Sequence, residues 1–187
     1  MSKKYTMAIY IGIMLISLIP IMAVSVYAHP TVDDFTYGLF VRRAVEQGGN
    51  VIDVIKAACA TVAEYYRTWQ GTFTASFIFA LQPGGFSYDL YFLTTVLMVG
   101  ALIASTMFTV YTVVARWVKG TREDAIRIGC AMLFFQIQFV PDKTQSYYWF
   151  KGSAYYTLFY AFSLFFYALL IRMYLTEQHK RSITIWL

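Results

Sequence analysis

Charged side chains are scarce in this 187-residue chain. Asp, Glu, Lys and Arg make up 13% of the sequence and hydrophobic residues 59%, whereas an ordinary soluble domain carries about 25% charged residues. So few charges leave too little polar surface to cover a water-soluble globule. The composition therefore excludes an ordinary soluble domain and predicts an all-α polytopic membrane protein.

Cysteine is also rare. Cys59 falls in a polar stretch and Cys130 in a hydrophobic run. This difference in depth argues against a disulfide, and no CxxC spacing indicates a metal site, so we expect two free thiols. The net charge of +5 does not predict a nucleic-acid partner, because the basic residues bracket hydrophobic runs and form no stripe.

The sequence is dominated by hydrophobic runs that are long enough to cross a hydrocarbon core of about 30 Å. The predicted spans are residues 7–28, 88–118, 125–140 and 154–175. We favour an uncleaved signal anchor for the first, since a cleavable signal peptide has an apolar core of only about 7–15 residues. The third span is the weakest. Its Gln136 and Gln138 are expected to hydrogen-bond to neighbouring helices.

Two amphipathic juxtamembrane helices are expected in the outer loop 29–71, over Asp33–Gln47 and Val51–Trp69. Asn50 is the expected N-cap of the second helix, with Asp53 three residues later. We expect both helices to lie in the membrane interface, and the alternative is a small packed subdomain. Residues 72–87 are predicted to dip into the membrane and to end in the turn Gln82-Pro83-Gly84-Gly85.

Charge asymmetry predicts the orientation. A cytoplasmic N-terminus places nine of the fifteen Lys and Arg residues inside. They are Lys3, Lys4, Arg116, Lys119, Arg122, Arg127, Arg172, Lys180 and Arg181. The outer loop 29–71 and a second polar loop, residues 141–153, then face the same extracytoplasmic side, and residues 176–187 form a cytoplasmic end. We expect a bacterial inner or plasma membrane.

The final residues, 182–187, look like the start of a further span. Three interpretations follow: a fragment, the N-terminal half of a longer protein, or a short module that needs a second membrane chain.

Short motifs carry a resemblance to a known superfamily. An Asp33-Asp34 pair that opens the first outer loop after a span, followed by two juxtamembrane helices, resembles the N-terminal module of the GT-C membrane glycosyltransferases. The segments Tyr66-Arg67-Thr68-Trp69-Gln70-Gly71 and Tyr148-Trp149-Phe150-Lys151-Gly152, with Tyr155 and Tyr156, are similar to a poorly characterised bacterial group within it. The resemblance covers residues 7–175. It implies transfer of a sugar from a polyprenyl-phosphate donor at the extracytoplasmic face.

The residues suit that chemistry. A carboxylate at Asp33 or Asp34 can take the proton of an acceptor hydroxyl, and we prefer Asp34 slightly. The alternative is that they cap a helix. Cations are needed at the departing lipid phosphate, and rings at the sugar. The phosphate-binding candidates are Arg42, Arg43, Arg67, Lys143 and Lys151. The sugar-binding candidates are Tyr65, Tyr66, Trp69, Tyr148 and Trp149.

Each group has a plainer interpretation. Arg42 and Arg43 also fit a solvated face or a lipid headgroup contact, and the aromatic residues fit an interfacial belt. No ligand set for a metal is present, so a divalent cofactor has no support in the sequence.

A different class of function stays open: a non-catalytic multipass subunit that binds a partner protein or a membrane lipid. A small transporter is less favoured, because the spans carry no ionisable residue near mid-membrane.

Overall fold

A computed structural model describes the backbone of residues 3–185 and the side chains of residues 4–178. Over this range the chain is helical and contains no β-strand, so the predicted all-α class is confirmed. The α-helices are α1 (Lys3–Ser25), α2 (Val32–Glu46), α3 (Val51–Thr68), α4 (Phe73–Ala80), α5 (Leu93–Tyr111), α6 (Arg122–Gln138), α7 (Phe150–Ser153) and α8 (Phe159–Ile185). Tight 3-10 turns cover Pro83–Gly85 and Tyr88–Leu90. Wider π-helical turns cover Thr112–Trp117, Thr144–Tyr148 and Ala154–Leu158.

Three stretches among the described residues are long and apolar enough to span a membrane: Lys4–Ser25, Tyr88–Trp117 and Phe150–Gln178. They coincide with the first, second and fourth predicted spans, and their length and composition indicate an integral membrane protein. The predicted third span corresponds to α6, whose 17 residues make it about 26 Å long. Of the predicted cytoplasmic end, the side chains of residues 179–187 lie outside the described residues, as does that of Lys3.

The chain divides into two compact units. One comprises Pro20–Val99 and Pro141–Leu158, and in it α2, α3 and α4 pack against one another. Their shared core is Val41, Ala58 and Ala80, surrounded by Val45, Val54, Ala57, Phe77 and Leu81. These helices therefore form a packed unit, to which α4, within the predicted membrane-dipping segment, contributes its buried face.

Helix α3 keeps a second apolar strip uncovered. Ile52, Ile55 and Tyr66 are exposed, at the spacing of one helical face. The helix begins where the sequence predicts, because the Asn50 side chain accepts hydrogen bonds from the backbone N–H groups of Ile52 and Asp53 at 2.8 and 3.3 Å.

The turn after α4 is buried against α2. Pro83, Gly84 and Gly85 are all buried, and the Gln82 side chain donates from Nε2 to the backbone oxygen of Asp34 at 2.7 Å. A Cβ added at Gly38 would lie 2.6 Å from that Nε2. The missing side chain at Gly38 is therefore what lets the Gln82 amide reach the backbone of α2.

The other unit comprises Met1–Ile19, Gly100–Val140 and Phe159–Leu187, and polar side chains connect its helices. Gln136 accepts from Thr106 Oγ1 and donates to the Tyr160 hydroxyl, both at 3.0 Å. Gln138 donates to the backbone oxygen of Ser17 at 2.8 Å. The expectation that these two glutamines hydrogen-bond to neighbouring helices is confirmed.

Gly38→Ala tests the close approach of the Gln82 turn. Ala normally stabilises a helix relative to Gly, by about 0.5–1 kcal/mol. Here we expect a loss of about 1–3 kcal/mol in the free energy of unfolding, because the new methyl group collides with a buried, hydrogen-bonded amide. The measurement is an SDS titration in mixed micelles. Gly100→Ala is the control, since a Cβ there meets nothing within 4 Å. Equal stability of the two variants would contradict the packing described.

Candidate functional site

The buried carboxylate of Asp34 lies at the first turn of α2 and is 1% exposed. Its Oδ2 accepts from the backbone N–H of Thr31 at 3.3 Å and from the Tyr91 hydroxyl. Its Oδ1 accepts from the backbone N–H of Lys151 at 3.3 Å. Asp34 therefore gathers donors from three separate parts of the chain.

Tyr91 is the second member of this network. It is fully buried, and its oxygen also accepts from the backbone N–H of Phe150 at 3.0 Å. Thr95, one turn further along, donates from Oγ1 to the backbone oxygen of Tyr147 at 2.8 Å. The segment 144–153 is thus tied to the start of α5 by two buried hydroxyl groups.

Burial is the largest influence on the pKa of Asp34 and raises it above the usual value near 3.8. The Tyr91 hydroxyl and the backbone N–H groups of Thr31 and Lys151 act the other way, while the nearby charge of Asp33 adds to the rise. The unfolded chain therefore releases this proton at lower pH than the native protein. The contribution of Asp34 to stability is complete below the unfolded pKa and is lost as pH rises through the native pKa.

Asp33 is the accessible member of the acidic pair. Its Oδ2 lies 3.0 Å from the Lys151 ammonium nitrogen, and the Asp33 and Lys151 side chains are 38% and 21% exposed. The same ammonium lies 5.2 Å from the centroid of the Tyr37 ring, within cation–π range. This ion pair joins residues of the predicted loops 29–71 and 141–153.

Aromatic rings continue from Tyr37. Its ring stacks on Tyr65 with centroids 3.9 Å apart and meets Phe79 edge-on at 5.2 Å. Gln70 donates from Nε2 to the Tyr37 hydroxyl at 3.2 Å. Phe79 in turn contacts Tyr155, with centroids 4.8 Å apart. Burial raises the pKa of Tyr37, so this phenol stays neutral at physiological pH.

The other predicted phosphate-binding residues do not join this cluster. Arg42 lies about two and a half turns along α2 from Asp33, where it pairs with Glu46 at 2.5 Å and stacks over Tyr88 at 4.5 Å. Arg43 and Arg67 are exposed in the last turns of α2 and α3. Lys143 precedes the Thr144–Tyr148 turn. Of the predicted cations, the structure brings only Lys151 to the acidic pair.

The predicted sugar-binding rings are also divided. Tyr65 belongs to the cluster, through Tyr37. Tyr66 packs on Phe73 with centroids 5.2 Å apart, and Trp69 is exposed. The Tyr148 hydroxyl donates to the backbone oxygen of Ile21 at 3.2 Å. Trp149 lies directly before the segment that reaches Asp34, and its ring is the nearest neighbour of Gly152.

The slight preference for Asp34 as the reactive carboxylate is not supported by this geometry. Its oxygens are occupied by three donors and closed to solvent. It reaches back to the N–H of Thr31 as a helix cap does, so capping, the stated alternative, describes Asp34. Asp33 is the carboxylate that a substrate can approach.

The sequence analysis missed Tyr91, Tyr37 and Gln82 as members of the site. Tyr91 opens a predicted span, where a tyrosine is typical of an interfacial belt, and Gln82 opens what reads as a surface turn. A buried tyrosine or glutamine that hydrogen-bonds to a sequence-distant acidic residue produces no recognisable pattern in the sequence around it. Tyr37 lies within the predicted amphipathic helix Asp33–Gln47, where a tyrosine suits the apolar face.

Within residues 4–178 no group of three or more His, Cys, Asp or Glu side chains is arranged to hold a metal ion. No family model, curated protein or solved structure matches this chain. The chemistry of the site must therefore be argued from the contacts around Asp33, Asp34 and Lys151.

Tyr91→Phe tests the network around Asp34. Loss of the hydroxyl leaves the buried carboxylate short of one donor and the Phe150 N–H without its acceptor. We expect the free energy of unfolding to fall by about 3 kcal/mol. The measurement is denaturant or SDS unfolding of the detergent-solubilised protein. The control is Tyr88→Phe, at an exposed ring one turn earlier, which should change stability by less than about 0.5 kcal/mol. An equal loss in the free energy of unfolding of both variants would contradict a stabilising contact between Tyr91 and Asp34.

Proposed function

We propose that this protein is a GT-C-like membrane glycosyltransferase module. It transfers a sugar from a polyprenyl-phosphate donor to an acceptor hydroxyl at the extracytoplasmic face of the membrane. One observation carries the proposal: the 3.0 Å ion pair between Asp33 and Lys151, which joins an accessible carboxylate to a cation beside stacked tyrosine rings. A general base, an anion-binding group and an apolar ring surface are what such a transfer needs.

Asp33 is the general base. Its carboxylate accepts the proton of the acceptor hydroxyl while the acceptor oxygen forms a bond to the anomeric carbon of the donor sugar. The bond between that carbon and the phosphate oxygen breaks, and its electron pair stays on the lipid phosphate. The products are the glycosylated acceptor, the lipid phosphate and a protonated Asp33.

Lys151 meets the charge that appears on the departing phosphate. Its ammonium group is already oriented by Asp33 and by the face of Tyr37, so little reorganisation is needed to share it with a phosphate oxygen. Tyr37 and Tyr65 offer flat apolar faces with polar edges beside it, a combination suited to a sugar ring. The step proposed here uses none of the other predicted cations, Arg42, Arg43, Arg67 and Lys143.

Asp34 and Tyr91 are positioning residues. They hold the backbone of Lys151 against the first turn of α2, which sets the direction of the Lys151 side chain. An Asn at position 34 would turn an NH₂ group toward a backbone donor, so we assign effects of Asp34→Asn to folding as much as to chemistry.

The proposal includes a fourth membrane crossing. The candidate span Tyr88–Trp117 begins with the segment whose Tyr91 hydroxyl donates to Asp34. Because Lys151 pairs with Asp33, we propose that the chain between residues 117 and 144 returns across the membrane and that α6 is the helix that crosses. Four crossings with a cytoplasmic N-terminus put the site on the extracytoplasmic side of a bacterial inner or plasma membrane.

A second candidate function is a non-catalytic subunit. The observation in its favour is that each charge of the cluster has a partner: Asp34 holds three donors and Asp33 neutralises Lys151. Buried or half-buried polar networks of this kind also serve to specify one fold. In this function the exposed apolar residues of α1 and α8 contact a second membrane chain.

Asp33→Asn separates the two functions. The assay incubates the purified full chain in detergent with a panel of synthetic polyprenyl-phosphate sugars and a panel of hydroxyl-bearing acceptors, and follows release of polyprenyl phosphate. We expect turnover with at least one donor, and a loss of at least about 100-fold in Asp33→Asn, because the general base is gone. Lys151→Gln should also slow release.

The matched control is Asp53→Asn, since Asp53 is likewise an acid in the first turn of a helix of the same unit. It should retain wild-type turnover, and thermal unfolding of Asp33→Asn should resemble wild type. Full activity of Asp33→Asn, or no turnover of any donor by the wild type, favours the subunit function.

Cysteine labelling tests the four crossings. Cys59 is exposed on α3 and Cys130 is buried. In intact spheroplasts of a bacterial host, a membrane-impermeant maleimide should label Cys59, and Cys59→Ser should remove the label. On a Cys59→Ser background, Asp142→Cys should label from outside and Glu123→Cys only after permeabilisation. Opposite accessibility of Cys59 and Asp142→Cys would leave three crossings and would separate Lys151 from Asp33 by the bilayer.

A further inference from the structure

A cavity lined by basic residues lies in the unit that contains Gly100–Val140, at the ends of two candidate spans. It has a volume of about 390 Å³ and is lined by Ala115, Arg116, Lys119, Arg172, Leu175 and Thr176. Half of these residues are cationic, and among the side chains that the structure describes no carboxylate lines the cavity. Cavities of roughly 300–1,000 Å³ are of the size that binds small ligands.

The backbone at the end of α5 brings two of the cations together. The helix widens into the π-helical turn Thr112–Trp117, and Gly120 donates its N–H to the backbone oxygen of Val114 at 2.8 Å. Lys119 has a φ of 62°, the left-handed conformation that closes a helix. This reversal of the chain brings Lys119 back beside the helix end that carries Arg116.

Arg172 supplies the third cation from α8, which packs against the same π-helical turn. Its guanidinium lies 5.1 Å from the centroid of the Phe108 ring, which limits its freedom without neutralising its charge. Because α8 continues to Ile185, the helix dipole does not explain a cation at this position. Among the side chains of residues 4–178, none forms an ion pair with Arg116, Lys119 or Arg172.

The position of the cavity in the membrane indicates its occupant. Arg116 lies one residue before the end of the candidate span Tyr88–Trp117, and Arg172 lies in the last turns of Phe150–Gln178. Trp117 and Tyr174 are exposed beside them, as aromatic residues are at the level of lipid headgroups. A ligand here meets cations at headgroup depth and apolar helix surface deeper in the bilayer.

We propose that this cavity binds the phosphate of an anionic phospholipid headgroup. A single basic residue at the end of a span experiences only the general attraction of an anionic leaflet. Three cations that line one cavity can contact one phosphate together. The guanidinium groups of Arg172 and Arg116 can each form bidentate hydrogen bonds to phosphate oxygens. The site does not depend on the proposed transferase activity.

Native mass spectrometry of the full chain in detergent tests the site. The probes are phosphatidylglycerol and phosphatidylcholine in equal amounts. We expect wild type to retain phosphatidylglycerol in at least about tenfold preference, and each of Arg116→Gln and Lys119→Gln to lower that preference about fivefold. Arg172→Lys, which keeps the charge but loses the planar fork, should lower it less than Arg172→Gln.

The control is Arg122→Gln, since Arg122 begins α6 three residues after Lys119 but does not line the cavity. Thermal unfolding of each variant tests whether it is folded. If the arginine variants are unstable, the lipid preference of Lys119→Gln alone decides the proposal. Equal losses in Arg122→Gln and the cavity variants, or no preference in wild type, would overturn the proposal. Displacement of the lipid by millimolar inorganic phosphate would also overturn it, because that result indicates a site for a soluble phosphate.

Discussion

The burial of the Asp34 carboxylate is the constraint on which the rest of the site depends. Ionised Asp34 would be costly to bury without donors, and the donors available come from the turn before α2, from the start of α5 and from α7. None of these segments is near another in the sequence. The hydrogen bonds to one side chain therefore hold together three parts of the chain that are distant in the sequence.

Helix geometry then divides the roles of the acidic pair. Successive residues of an α-helix point about 100° apart. With Asp34 turned into the unit, Asp33 must point to its side, where Lys151 reaches it from α7. Asp34 is buried and has a structural role, whereas Asp33 is accessible and paired with the Lys151 ammonium group. A burial difference between adjacent residues is enough to give two chemically identical side chains different roles.

Much of the helical organisation could be predicted from the sequence, because it is encoded locally. Apolar runs give the three candidate spans, and Asn50 with Asp53 gives the start of α3. The meeting of the two polar segments could also be anticipated from charge asymmetry. The choice between Asp33 and Asp34 could not, since it depends on which way α2 faces. Nor could the buried place of Gln82 beside Gly38, because a Pro-Gly-Gly turn looks the same whether water or another helix lies over it.

The distance along the chain between Asp33 and Lys151 affects how the protein is made. The two residues are 118 positions apart, so the nascent outer loop leaves the ribosome long before its counter-ion has been translated. Until Lys151 has been made, Asp33 lacks its counter-ion and Asp34 lacks one of its three donors. The helices α2 to α4 can pack on one another first, from local contacts. Formation of the Asp33–Lys151 ion pair is then a late event in the biogenesis of the protein.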